Sequence, residues 1–169
     1  MLFSAPPPAL SSMPSHIQAL DGALLELLEP LLPPDVLDIA LRQPLARQAI
    51  LNLYPPGQGI SPHVDLPRRY ADGIVGVSLT GGCVLTLQRA DAAMKETGYG
   101  AVIGERYDVY LPPRSVYVLS GESRWDWAHG IEGRLSDTVE SDGGTTTLPR
   151  DMRVSVTLRW MKEGAGLLA

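Results

Sequence analysis

From residue 48 onward the chain is a succession of short β-rich runs: AILNLY, IVGVSL, CVLTLQ, RYDVYL, SVYVLS and RVSVTLRW, separated by Gly, Pro and Asp. β-branched and aromatic residues suit a pleated surface, and the punctuation residues turn the chain between strands. Several such strands in a row predict a sandwich or small barrel, with a plain antiparallel sheet packed on helices as the simpler alternative. Two helical patterns come first. Ile17, Leu20, Leu24, Leu27, Leu28 and Leu31 recur at helical spacing, and Ser15 with Gln18 resembles a capping box. Pro33-Pro34 ends that helix, and Pro34 opens a second over Asp35 to Arg42, before Pro44. Helices followed by strands indicate an α+β, mainly β, chain. Residues 1–14 read as a flexible tail, residues 15–169 as one domain, and SDTVESDGGTTTLPRD, residues 136–151, as a mobile loop.

The composition narrows the class. Over 169 residues, 44% are hydrophobic and 20% charged, which suits a globular rather than a disordered chain. A formal net charge of −5 excludes a polycation built to coat nucleic acid. The single cysteine, Cys83, excludes an internal disulfide framework and suits a reducing compartment. No apolar run approaches the roughly 20 residues of a membrane-spanning helix, and the opening stretch lacks a basic n-region. The expectation is an intracellular protein, cytoplasmic or nuclear, with no signal peptide and no membrane partner.

The chemistry concentrates in three places. In SPHVDL, His63 and Asp65 are two apart, so on a strand they point to one side. Alone, this pair is either a metal motif or a polar bump on the surface. In SRWDWAHGI, an extended chain would put Trp125, Trp127 and His129 on one face. Two histidines and a carboxylate form the facial set of non-haem Fe(II) oxygenases, and zinc accepts the same donors. The last strand, MRVSVTLRWM, alternates strictly: Arg153, Ser155, Thr157 and Arg159 fall on one face, Val154, Val156, Leu158 and Trp160 on the other. If the polar face points inward, two permanent cations lie inside a barrel and need anions, which a dicarboxylate would supply. Asn52 and Tyr54 share a face on an earlier strand and offer further hydrogen bonds to such a ligand.

Taken in order, N-x-Y-x-x-G-x-x-I-x-x-H-x-D, GESRWDWAHGI and R-x-S-x-T-x-R resemble the AlkB-like family of 2-oxoglutarate- and Fe(II)-dependent dioxygenases, from about residue 48 to residue 160. The stretches PPGQGISPHVD and SGESRWDWAHGI are most similar to the branch that includes the tRNA wobble-uridine hydroxylase. The resemblance implies a double-stranded β-helix, or jelly-roll. It implies Fe(II) held by His63, Asp65 and His129, with 2-oxoglutarate and O2 as co-substrates. Arg153 matches the arginine that pairs with the distal carboxylate of 2-oxoglutarate, and Arg159 the second arginine near the metal. Asn52 and Tyr54 match co-substrate contacts, with Ser155 and Thr157 on the same lining. Ser155 stands where the family often has Asn. The implied reaction is hydroxylation or oxidative demethylation of a modified nucleic-acid base in RNA or DNA. A methylated protein side chain and a catalytically silent binding module are the alternatives. The region before Asn52 is shorter than the lid of the family's nucleic-acid demethylases, and the chain has neither an RNA-recognition module nor a methyltransferase domain. Arg68, Arg69, Arg89, Arg114 and Arg124 are candidates for a phosphate-binding rim, against a reading as solvated surface or structural ion pairs.

Overall fold

The structure, a computed structural model, describes residues 1–4 and 13–165. Helices α1 (Ser15–Leu28) and α2 (Pro34–Leu41) follow a short strand, β1 (Leu2–Phe3). Then come β2 (Arg47–Tyr54), β3 (Ile60–His63), β4 (Ile74–Thr80), β5 (Cys83–Ala90), α3 (Ala92–Thr97), β6 (Val102–Leu111), β7 (Ser115–Leu119), α4 (Glu122–Trp125), β8 (Trp127–Ile131), β9 (Ser136–Ser141), β10 (Gly144–Pro149) and β11 (Arg153–Trp160). Among the described residues no helix is long and apolar enough to cross a membrane.

Two sheets carry the architecture. One has the order β1-β2-β11-β4-β7 and the other β3-β8-β5-β6. The chain passes from β2 to β3 to β4 to β5, and from β6 to β7 to β8 to β11, crossing between the sheets. Those eight strands wind as a double-stranded β-helix, the jelly-roll that the sequence pattern implies. The two halves close because β2 and β11 pair in unbroken antiparallel register, from Arg153 opposite Tyr54 to Trp160 opposite Arg47.

The alternation of β11 sorts its side chains as expected. Val156 and Leu158 join Ala49, Val75 and Val77 under Ile17 and Leu24 of α1 and Ala40 of α2. This apolar layer glues the helices to the outer face of the larger sheet. The indole of Trp160 adds a hydrogen bond to the Ala40 carbonyl at 2.9 Å. The opposite face of β11, with its arginines, points between the sheets. Cys83, Leu85, Leu111 and Ile131 of the smaller sheet pack there with Tyr117 of the larger one. Tyr117 crosses β4 at Gly76, its pairing partner, where a Cβ would lie 2.1 Å from the Tyr117 ring.

Several local expectations change. Pro14 rather than Ser15 is the N-cap of α1, and no side-chain cap forms; Gln18 instead donates to the Met13 carbonyl. Within residues 1–14, Leu2 and Phe3 are not loose but pair with Ala49 and Gln48 at the edge of the larger sheet. Residues 5–12 of that predicted tail lie outside the described residues. The predicted loop at 136–151 is a hairpin of β9 and β10 in continuous register. Its base is clamped by Asp137, which accepts from Arg150 at 2.7 and 2.8 Å, from Arg134 at 2.7 Å and from the Val84 amide at 3.2 Å. Alternating threonines, read as polar loop, are strand residues here because that buried clamp fixes both ends.

Candidate metal centre

His63 ends β3, and His129 sits opposite it at the middle of β8. Asp65 lies two residues past the end of β3, in irregular backbone, and its carboxylate converges on the His63 ring as expected of the pair. One nitrogen or oxygen from each of His63, Asp65 and His129 falls within 4.8 Å of the others. The imidazole rings of His63 and His129 are 4.4 Å apart. His63 Nδ1 lies 2.9 Å from the Ser61 carbonyl. A carbonyl only accepts, so Nδ1 is the donor in this contact.

The electrostatics favour a cation. Asp65 Oδ1 accepts from Arg159, whereas Oδ2 is buried without a hydrogen-bond partner and sits 3.6 Å from His129 Nε2. Burial pushes the Asp65 carboxyl up, but Arg159 and the two histidines together hold it below its usual 3.8. Burial lowers His129 to about 4, so the ring is neutral at pH 7 and its lone pair is available. A buried carboxylate oxygen with nothing to bind, beside the imidazoles of His63 and His129, is the donor set of a divalent metal.

The remaining predicted residues converge on the same place. Asn52, Tyr54, Arg153, Ser155, Thr157 and Arg159 line a cavity of about 100 Å3 together with His63, Asp65 and His129. Asn52 reaches Thr157 Oγ1 at 3.4 Å. Arg153 is buried, donates to Ser78 Oγ at 3.2 Å and Ser155 Oγ at 3.0 Å, and lies over the Tyr54 ring. Ser155, standing where the family often has Asn, therefore contacts Arg153 directly. Among the described residues Arg153 has no carboxylate partner, although 5% of it is exposed.

Ile50, Ile60, Leu85, Tyr117 and Ile131 complete the lining. Ile60 stands within the first motif, but Leu85 and Ile131 need cross-strand register that no local pattern supplies. Burial pushes the Tyr117 hydroxyl up to about 12, which keeps it a neutral donor. Trp125 leaves the face expected for it. It belongs to α4, donates to Asp72 Oδ2 at 3.2 Å and carries Lys162 over its ring. Trp127 stays on β8, under Arg89 and beside Tyr107.

The arginine rim is only partly a rim. Arg124 is 2% exposed and holds the carbonyls of Tyr70 and Ala71, a structural role. Arg68 pairs with Glu96 on the surface at 2.7 Å. Arg69 instead faces a second, larger cavity of about 660 Å3, which meets the first at Ile60, His63, Asp65 and Arg159.

Known proteins agree with this geometry. A profile of the 2OG-Fe(II) oxygenase superfamily matches residues 5–159. The uncharacterized protein L905 of Acanthamoeba polyphaga mimivirus is 33% identical over 112 residues, 66% of this chain and 47% of that protein. The tRNA (carboxymethyluridine(34)-5-O)-methyltransferase ALKBH8 of Macaca fascicularis is 36% identical over 128 residues, 69% of this chain and 18% of that protein. The mitochondrial alpha-ketoglutarate-dependent dioxygenase alkB homolog 7 of Bos taurus is 35% identical over 117 residues, 69% of this chain and 46% of that protein. The chain thus spans less than half the length of these curated relatives. It belongs to the 2OG-Fe(II) oxygenase superfamily, among its AlkB-like members, whose enzymes use Fe(II), 2-oxoglutarate and O2.

Proposed function

We propose that the chain, from residue 15 to residue 169, is one catalytic domain that oxidises a C–H bond of a modified nucleic-acid base. The product is a hydroxylated base, or a demethylated one where the carbon is an N-methyl group. The observation that carries the reading is the buried, unpartnered Oδ2 of Asp65 beside the imidazoles of His63 and His129, in a cavity that also holds an arginine, Arg153, without an acid partner among the described residues.

His63, Asp65 and His129 would hold Fe(II), which when bound couples reduction of O2 to decarboxylation of 2-oxoglutarate and oxidation of the substrate. The chain's own residues do the rest. Arg153 offers a guanidinium to the distal carboxylate, which would offset a buried cation now held only by hydroxyls. Asn52, Tyr54, Ser155 and Thr157 supply the polar wall, and Ile50, Leu85 and Ile131 keep the cavity dry. Arg159 fixes one oxygen of Asp65, so that the other faces the histidines. Cys83, free and buried, suits a reducing, intracellular setting. The base as substrate is supported by the relative whose name specifies a tRNA uridine.

Anaerobic addition of Fe(II) and 2-oxoglutarate tests the reading. A visible charge-transfer band, followed by succinate release on admitting O2 and lost in His63→Ala, is the expected result. Absence of the band in the unsubstituted chain overturns it. A screen of succinate release against methylated RNA, tRNA, methylated DNA and methylated peptides tests the substrate class.

A further inference from the structure

We propose that this chain associates with a second copy of itself through β6. The two β6 strands pair antiparallel about a two-fold axis at Tyr107 and join the two smaller sheets into one.

The strand is open to such pairing. β6 ends the smaller sheet, and among the described residues its only strand partner is β5. No backbone hydrogen bond outside that ladder reaches residues 103–110. The N–H and C=O groups on the far side of β6 therefore form an unpaired row, the feature by which a sheet takes up a further strand. The side chains do not shield it: Ile103 and Tyr107 are each 54% exposed and Val109 is 44% exposed. The Tyr107 ring leans on Trp127, with ring centres 5.3 Å apart, so it is held in place while more than half of the residue meets solvent.

Charge decides what covers this edge. Arg106 and Asp108 flank Tyr107 and share the opposite face of the strand. Arg106 holds Asp108 at 3.0 Å, yet 39% and 43% of the two side chains remain exposed. Glu132, which meets Arg106 at 2.8 Å, is itself paired with Arg134 at 3.2 Å. Edge strands that avoid their own kind carry charges that repel a copy. Here the two signs are arranged symmetrically about one residue. With Tyr107 on the axis, Arg106 of one copy stands opposite Asp108 of the other, and the same contact recurs across the two-fold. The two Tyr107 rings meet on the other face, where aromatic pairs stabilise adjacent strands. Centring the axis on Arg106 or on Asp108 would set like charges face to face, so the sequence selects one register. Gly104, with φ of 62°, lies where the β5–β6 register shifts, and it confines the shared ladder to about residues 105–109. So short a ladder makes a reversible dimer. None of the metal donors and none of the residues lining the cavity of Arg153 lies on β6, so the association is independent of the oxygenase reading.

The test is the mass of the full chain in solution, by analytical ultracentrifugation over a micromolar-to-millimolar series. A monomer–dimer equilibrium is expected, with slower amide hydrogen exchange over residues 103–110 as the dimer forms. Tyr107→Lys, which sets like charges on the axis, should weaken association roughly tenfold. Arg106→Glu and Asp108→Lys should each do the same alone, because each variant then faces like charge in its own copy. Mixing the two should restore the dimer as a heterodimer, since every pair across the axis is again of opposite sign. Both positions are exposed, and recovery on mixing also shows that both variants fold. A monomer throughout the series leaves the edge to a strand of another protein, or to none, and overturns the proposal. So does a dimer that persists in both charge variants or leaves β6 exchange unchanged, because it uses another surface. No recovery on mixing overturns the pairing about Tyr107.

Discussion

Arg159 donates to one carboxylate oxygen of Asp65 while lying 4.2 Å from the centre of the Tyr70 ring. The ring below and the carboxylate ahead leave the guanidinium one orientation. Arg159→Leu removes the cation that holds Asp65 ionised in a buried site and lets the carboxylate turn. Partners behind a metal ligand typically account for 10–100-fold in affinity, and a loss of about that size is expected for Fe(II). Metal titration followed by the charge-transfer band measures it. Unchanged affinity would show that the pair only closes the barrel.

Arg153→Ala separates co-substrate from metal. Its hydrogen bonds go to the hydroxyls of Ser78 and Ser155, and it lies over the Tyr54 ring. Losing a charge-assisted, two-pronged contact costs about 1.5–3 kcal/mol, so 2-oxoglutarate should bind roughly 10–150-fold more weakly. Metal affinity should stay within about twofold. Equal 2-oxoglutarate affinity in the variant and the original chain would mean that the co-substrate lies elsewhere.

The Tyr117 ring occupies the space that a side chain at residue 76 would need. Gly76→Ala should therefore destabilise by about 2 kcal/mol or more through overpacking. Pairing it with Tyr117→Ala should recover part of that loss, because the two substitutions share one volume. Urea midpoints of the two single variants and the double variant decide the matter; additive losses would refute the shared-volume account.

Acid should loosen the β9–β10 hairpin first. Burial raises the Asp137 carboxyl, but hydrogen bonds from Arg150 and Arg134 outweigh it and hold it below 3.8 in the fold. Its folded state binds the proton less readily than the unfolded one, so the stabilisation is fully present above pH 3.8 and fades as pH falls through the depressed value. Asp137→Asn should lose about 3 kcal/mol at pH 7, having left Arg150 buried without its anion. It should also flatten the pH dependence of the urea midpoint below 3.8. An undiminished slope in the variant would assign the acid sensitivity to other carboxylates.

What a reader of the sequence can foresee follows from periodicity. β11 alternates so strictly that its inward and outward faces are readable, and Pro34 and the apolar spacing of α1 mark both helices. The metal donors are readable because His63 and Asp65 are close in sequence. Their third member, His129, is paired across strands with His63. His63 and Asp65 converge as their spacing implies, although β3 stops at His63 and Asp65 follows it in irregular backbone. Trp125 misled, since a short helix, α4, interrupts an apparently extended run. Neither Tyr99 nor the β1 segment carries a local signal that it lines the second cavity. The place of Tyr99 depends on Gly98 meeting Val64, and that of β1 on Leu2 meeting Ala49, contacts set by the fold and not by neighbours in the chain.

The unbroken ladder between β2 and β11 also governs which changes in length such a chain can survive over descent. A residue gained or lost at the tip of the β9–β10 hairpin lengthens or shortens a solvent-exposed turn and leaves Arg153 opposite Tyr54. One residue lost from within β11 after Arg153 would exchange its two faces from that point on, turning Val156 and Leu158 toward the cavity and Ser155 and Arg159 toward the helices. Lineages of this domain should therefore vary freely in the ribbon before β11 and hold the length of β11 itself constant.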